Sequence, residues 1–405
     1  MNLRTGIVSL APVLDDVLTE LGGSAAAAGV LTALPGFMFA LMGLGAVPLA
    51  RCIGLSPTLW LGGALLTAGL SVRAMASGMP VFFVGTTAVT AGIALGNVVL
   101  PAWIKEHALP RQLTVMTMLY TAVLGISSAV GPLSAQWFAD PAWRPALGVW
   151  AVLGGAKVLV WRGVVAGARR DVPGSTTSES TAAADTVAAP TGAEAIDTAA
   201  TAEAIDAVPI WKSGTAVSLM AFFCFQATTA YVIMGWLPTM FVDAGIPRET
   251  ASWALAIIGV FNILGGVAMP WAIGRFSNIQ PLPVALALLT LAGWCGIFFA
   301  PTAAPLLWAV LLGIGGQCFT LVLGLLAGRT RSPLTTARLS GFVQPWAYLA
   351  AGLGPLLVGV VHATWGTWAP VFACLMAFNI AMVFTGYRAA RNITVDEELQ
   401  AAARA

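Results

Sequence analysis

Charge is what this sequence has least of. Only 9% of its 405 residues are Asp, Glu, Lys or Arg, against about 25% in soluble domains, which excludes a water-soluble globular fold. Histidine is rarer still: His107 and His362 fall in opposite halves. No HExxH spacing occurs, and no Asp, Glu or His lies clearly inside an apolar run. An intramembrane enzyme would need paired aspartates, a Ser–Lys or Ser–His pair, or metal ligands, and none is in view. The five cysteines (Cys52, Cys224, Cys295, Cys318, Cys374) show no CxxC spacing and read as free, packed thiols. No metal or cofactor site and no nucleic-acid partner is expected. No cleavable signal pattern precedes the first apolar segment, which is therefore expected to stay in the protein.

What is present is apolar length. Hydrophobic residues make up 58% of the chain and the mean hydropathy is +0.87. A bilayer core of about 30 Å needs about 20 apolar helical residues, because only hydrogen-bonded helix can face lipid alone. Spans are predicted near 1–21, 25–50, 57–76, 80–103, 113–136 and 145–163, then near 213–242, 250–273, 281–300, 305–328, 339–362 and 367–388. Between the sixes, residues 172–209 carry six acids and no Lys or Arg, with Ala193-Glu-Ala-Ile-Asp197 nearly repeated as Ala202-Glu-Ala-Ile-Asp206. Such a stretch buries too little apolar surface to offset its ordering entropy and reads as a flexible tether. The division is then 1–166 and 212–390 for two six-helix bundles, 167–211 for the acidic linker and 391–405 for a tail.

Fourteen Lys and Arg fall on the tether side of these spans, including Arg51, Lys105, Arg275 and Arg388, against Arg73, Arg144 and Arg248 on the other. That bias places tether and both termini in the cytoplasm. The halves also echo each other. Gly96-Asn97 matches Gly316-Gln317, and Arg111 matches Arg331, both 220 residues on. Gly131-Pro132 matches Gly354-Pro355 after 223, and Trp143-Arg-Pro145 matches Trp368-Ala-Pro370 after 225. Four matches in order indicate a duplicated six-helix unit, with a repeat axis along the membrane normal. The fold expected is an all-α polytopic membrane protein of twelve transmembrane helices, built as two parallel-related bundles that rock about a midplane cavity.

Polar residues inside the spans are the candidates for binding, since each is costly in lipid. Arg4 stands foremost. Only ten apolar residues, Thr5 to Leu14, separate it from Asp15, about 15 Å of helix. Either Asp15 and Asp16 lie inside the membrane profile, or further apolar residues precede Met1; the second is expected. Arg4 would then sit mid-span as a charge partner for substrate, the plainer alternative being a cytoplasmic anchor. Asp15, three turns on and on the same face, reads as an outer gate or a solvated acid. Asn97, Tyr120, Gln226, Tyr231, Asn262, Gln317, Gln344 and Tyr348 are candidate cavity residues, the alternative for any amide being an interhelical hydrogen bond. Gln344 and Tyr348 share a face. Asn379 reads as structural, Lys157 as snorkelling to the interface. Gly92 with Gly96, and Gly313 with Gly315 and Gly316, read as close helix contacts. Pro132 and Pro355 should bend their helices, as gates or as rigid kinks, and the freed carbonyls need partners.

At these residues the chain resembles the major facilitator superfamily. Its loop Pro48-Leu-Ala-Arg51-Cys-Ile-Gly54 lacks the acidic residue of that superfamily's Gly/Asp/Arg loop, and with it the usual gating salt bridge. A closer resemblance, over almost the whole chain except the tether, is to the cyanate and 2-nitroimidazole transporter branch. It rests on Asn2-Leu-Arg4, Leu31-Thr-Ala-Leu-Pro35, Gly96-Asn-Val-Val-Leu-Pro101 with Lys105, Gln226, Tyr231, Trp236-Leu-Pro238, Leu339-Ser-Gly-Phe-Val-Gln344, Tyr348-Leu-Ala-Ala351 and Gly354-Pro355. In that branch apolar residues precede the Asn-Leu-Arg run, which implies a mid-membrane Arg4. The resemblance implies movement of a small anion or compact polar heterocycle by alternating access across the plasma membrane, as a monomer and without a cofactor. A drug or metabolite exporter is the alternative within this class; a channel or intramembrane enzyme is the alternative outside it.

Overall fold

The structure, a computed structural model, describes residues 2–107, 110–138, 143–167, 208–331 and 333–404. Among these there is no strand. Helices α1 (Asn2–Val8), α2 (Leu14–Leu21), α3 (Ala25–Ile53), α4 (Leu55–Ala74), α5 (Met79–His107), α6 (Pro110–Leu133) and α7 (Trp143–Gly167) form the first bundle. Helices α8 (Gly214–Asp243), α9 (Arg248–Arg275), α10 (Pro281–Phe299), α11 (Pro305–Gly315), α12 (Cys318–Gly328), α13 (Pro333–Trp365) and α14 (Ala369–Ala389) form the second. Taking α1 with α2 and α11 with α12, this is twelve crossings. Most of the linker expected at 167–211 lies outside the described residues.

Local chemistry sets the helix ends. The Ser24 hydroxyl accepts from the Ala27 amide to open α3, and Ser213 does the same for Ala216 at the start of α8, each satisfying a donor that a helix N-terminus leaves unpaired. Gly22 closes α2 in the left-handed region at φ 68°, where a Cβ would be penalised.

Two spans are broken where the sequence predicts continuous helix. The first unwinds before Pro12: the Leu10 amide turns to Ile7 instead of Gly6, so the Gly6 carbonyl loses its helical donor. Arg73 supplies one, its Nη1 donating to Gly6 O at 2.9 Å. The sequence places Arg73 in an outer loop, but its side chain is fully buried. The tenth span breaks at Gly316-Gln317. Gln317 Nε2 donates to Phe261 O (2.9 Å) and Gly313 O (3.0 Å), while Gln226 Nε2 donates to Gly316 O (3.2 Å).

Small residues let helices approach where lipid supplies no hydrophobic drive. Gly62 and Gly92 bring α4 against α5, and Gly315 packs on Thr290 and Leu286 of α10. Between bundles, α3 crosses α13 and α6 crosses α9. Judged by the described glycines, α3 and α13 are in close contact at one end. A Cβ on Gly29 or Gly36 would run into Gly359 or Gly352, whereas Gly45 and Gly341, nearer the tether, meet nothing within 4 Å. The bundles are therefore closed at the end away from the tether and parted at the tether end.

Beyond α14 the tail is an ordered helix, α15 (Val395–Arg404). Its Glu398 accepts from Ser213 Oγ, Thr215 Oγ1 and the Thr215 amide at the start of α8. Asp396 accepts from the Arg331 amide and Thr335 Oγ1 at the start of α13. The tail thus caps two helix N-termini of the second bundle, where the backbone favours negative charge.

Candidate functional site

The broken first span sets Arg4 on the short helix α1, half-buried and facing α8. Its Nη1 lies 3.9 Å from Met234 Sδ, and its charge acts on the hydroxyls of Tyr120, Tyr231 and Tyr348. No carboxylate pairs with it among the described residues. Around it stands an aromatic enclosure drawn from both bundles. Phe39 of α3 stacks on Tyr348 of α13 (centroids 5.7 Å, 26°) and meets Tyr231 of α8 edge-on (6.5 Å, 83°), and Phe223 closes on Tyr348 (6.3 Å). Tyr120 donates to Asn97 Oδ1 at 3.1 Å, and Asn97 Nδ2 is taken up by its own helix at Ile93 O (3.0 Å). A lone guanidinium beside π-faces and hydroxyls suits a small negative or strongly dipolar guest that is flat or linear.

The other candidates fall in three places. Gln344 is half-buried one turn from Tyr348 on the same face, toward the open end. Asn262 is exposed, yet at about 100° per residue it points opposite Val260, Leu264 and Val267, whose 45–69% exposure marks the lipid side of α9. That places Asn262 on the opening between the bundles. Gln226 and Gln317 brace the broken tenth span. Asn379 is fully buried and donates to Leu375 O of its own helix.

The closed end carries a latch between bundles. Arg248 Nη1 of α9 grips both carboxylate oxygens of Asp16 on α2, at 2.8 and 2.7 Å. Asp15, singled out by sequence, lies within the electrostatic reach of Asp243, Arg248 and His362. Trp368 donates to Asp243 and stacks on His362. An open groove of about 430 Å³, lined in part by Asp16, Gln136 and Arg248, lies at this end. Pro355 sits mid-helix in α13, and α8 bonds to the backbone at and before it: Trp236 Nε1 donates to Pro355 O (3.0 Å) and Thr228 to Ala350 O (3.2 Å). Pro132 instead lies in the last turn of α6, before a 3₁₀ turn at Ser134–Trp137.

Sequence reasoning missed Phe39, Phe223 and Met234, which are apolar and look like any lipid-facing residue. It also missed Arg73, whose place near a span end resembles a loop. The short first span was the available signal, since a break there exposes carbonyls that need a donor.

A family model described as Major Facilitator Superfamily matches residues 3–355. The chain is 30% identical to the uncharacterized transporter YycB of Bacillus subtilis (strain 168), over 96% of this chain and 91% of that one. It is 27% identical to the 2-nitroimidazole transporter of Escherichia coli (strain K12), over 96% and 93%. The cyanate transport protein CynX of the same strain is 24% identical, over 94% and 93%. Among solved structures, a point mutant of the peptide transporter POT superposes with a TM-score of 0.71 at 14% identity, covering 95% of this chain and 90% of that one.

Proposed function

Because the chain belongs to the Major Facilitator Superfamily, and is thus a multi-pass membrane transporter, we propose that it carries a small anion or compact polar solute, cyanate- or nitroimidazole-like, by alternating access. The observation that supports this most is Arg4: a half-buried cation with no carboxylate partner among the described residues, enclosed by aromatic side chains from both bundles. A guest bound there touches Phe39, Asn97 and Tyr120 on one side and Tyr231 and Tyr348 on the other, so its affinity depends on how the bundles are disposed. That is what couples binding to rocking, since a ligand shifts an equilibrium only through differential contacts. The 2-nitroimidazole and cyanate transporters named above carry guests of the chemistry this enclosure suits.

In this reading the protein works as a monomer in the plasma membrane with tether and termini cytoplasmic, and the present state opens to the cytoplasm. The Asp16–Arg248 latch holds the outer end shut. The test is uptake and counterflow of cyanate and 2-nitroimidazole in proteoliposomes. Arg4→Ala should abolish both while leaving the protein folded and inserted; wild-type rates in that variant would refute the assignment.

A further inference from the structure

Arg73 stands out beyond the Arg4 enclosure. It is fully buried in the closed half, and one of its three nitrogens is engaged: Nη1 donates to Gly6 O, while Nε and Nη2 have no partner. No ion pair to it is found among the described residues. A buried lone cation is costly, and a lysine there would escape by losing its proton. A guanidinium cannot. No compensating negative charge is found among the described residues.

The surroundings are built to receive it. Arg73 lines a cavity of about 20 Å³ together with Gly6, Thr86, Thr90, Tyr231 and Met234, room for one particle the size of a water or a halide. The free nitrogens, Nε and Nη2, form the guanidinium edge that grips an anion through two parallel N–H groups. Thr86 and Thr90 spend their hydroxyl protons on Phe82 O and Thr86 O, and the Tyr231 hydroxyl makes no hydrogen bond among the described residues, so it is a donor to spare. Glycine lets the two helix backbones close up here, since a Cβ on Gly85 would stand 2.8 Å from the Arg73 backbone nitrogen. We propose that the Nε–Nη2 edge of Arg73 holds a small monovalent anion of halide size, at a site that adjoins the Arg4 enclosure. Met234 and Tyr231 line this cavity and also neighbour Arg4, so the two cations flank a common wall.

Bromide is the probe. In crystals of the intact protein grown in bromide, an anomalous peak is expected beside the Arg73 guanidinium. Purified wild type should gain thermal stability in bromide over gluconate. That gain should vanish in Arg73→Met and persist in Arg4→Gln. A gain retained in Arg73→Met, or a peak confined to Arg4 or the surface, overturns the site. Should Arg73→Met fail to fold, the wild-type diffraction decides alone. Cyanate and nitroimidazole uptake can fail with the bromide site intact, and the site can fail with uptake intact, so the two claims fall separately.

Discussion

Placing one methyl group at Gly36 should bias the carrier away from the state described here. A Cβ there would stand 2.2 Å from the Gly352 nitrogen and 2.5 Å from its Cα. Comfortable contact needs about 3.5 Å, so α3 and α13 must part by roughly 1 Å. Overpacking of this kind costs about 1–3 kcal/mol, which at 1.4 kcal/mol per decade shifts an equilibrium by about 5- to 150-fold. The cost falls only on the conformation in which these helices touch. Alanine also favours helix over glycine by up to about 1 kcal/mol, but equally in both conformations, so that gain cancels. Gly45 lies on the same helix with nothing within 4 Å, and Gly45→Ala is the control. The assay places a cysteine at Leu31, 1% exposed in the closed half, in a background without the native thiols. A membrane-impermeant reagent is then applied from the face opposite the tether. Labelling should accelerate about 5- to 150-fold in Gly36→Ala and stay unchanged in Gly45→Ala. Equal rates in two folded variants would refute the claim that the glycine crossing seals this end.

Further outcomes follow from the latch and the tail. Asp16→Asn removes one partner of a partly exposed pair, worth about 0.5–1 kcal/mol; the same Leu31→Cys labelling should rise about 2- to 5-fold, and no change would mean the pair does not hold the gate. Glu398→Ala strips three hydrogen bonds from the start of α8 and should cost about 1.5–3 kcal/mol, read as a lowered melting temperature; an unaltered melt would show that the tail does not brace the bundle. Thr394 and Glu397 form a capping box, each side chain bonded to the other's amide. The Thr394 amide holds the Glu397 carboxyl below its ordinary 4.5. A depressed value stabilises the folded form above 4.5, and that support is lost as pH falls from there through the folded value. Amide exchange of 395–404, corrected for its own pH dependence, should quicken across that window in wild type and not in Glu397→Gln.

How much of the site was legible depends on which residues carry a signal. Arg4 was legible because a cation next to a run too short to span demands an account. Gln344 and Tyr348 were legible because i, i+4 spacing on a helix fixes a shared face. Gln226 and Gln317 look identical to other cavity candidates along the chain, and only the structure shows that their amide nitrogens also donate to a broken helix and its neighbour. Asp15 and Asp16 are neighbours in a single acidic turn, and only the placement of Arg248 on the other bundle selects Asp16 as the latch. Phe39 and Met234 had no signal at all.

Composition and hydropathy by themselves determined that this chain is a helical multi-pass membrane protein, because its apolar runs are of helix length and lipid leaves a spanning helix no unpaired backbone. Which end is shut, which amide braces and which lines, and that Arg73 lies inside the protein rather than in water were decided by tertiary structure alone. Those facts depend on contacts between residues far apart in the chain. A single break near Pro12 redirects one carbonyl, and with it a whole guanidinium, in a way that no local pattern encodes.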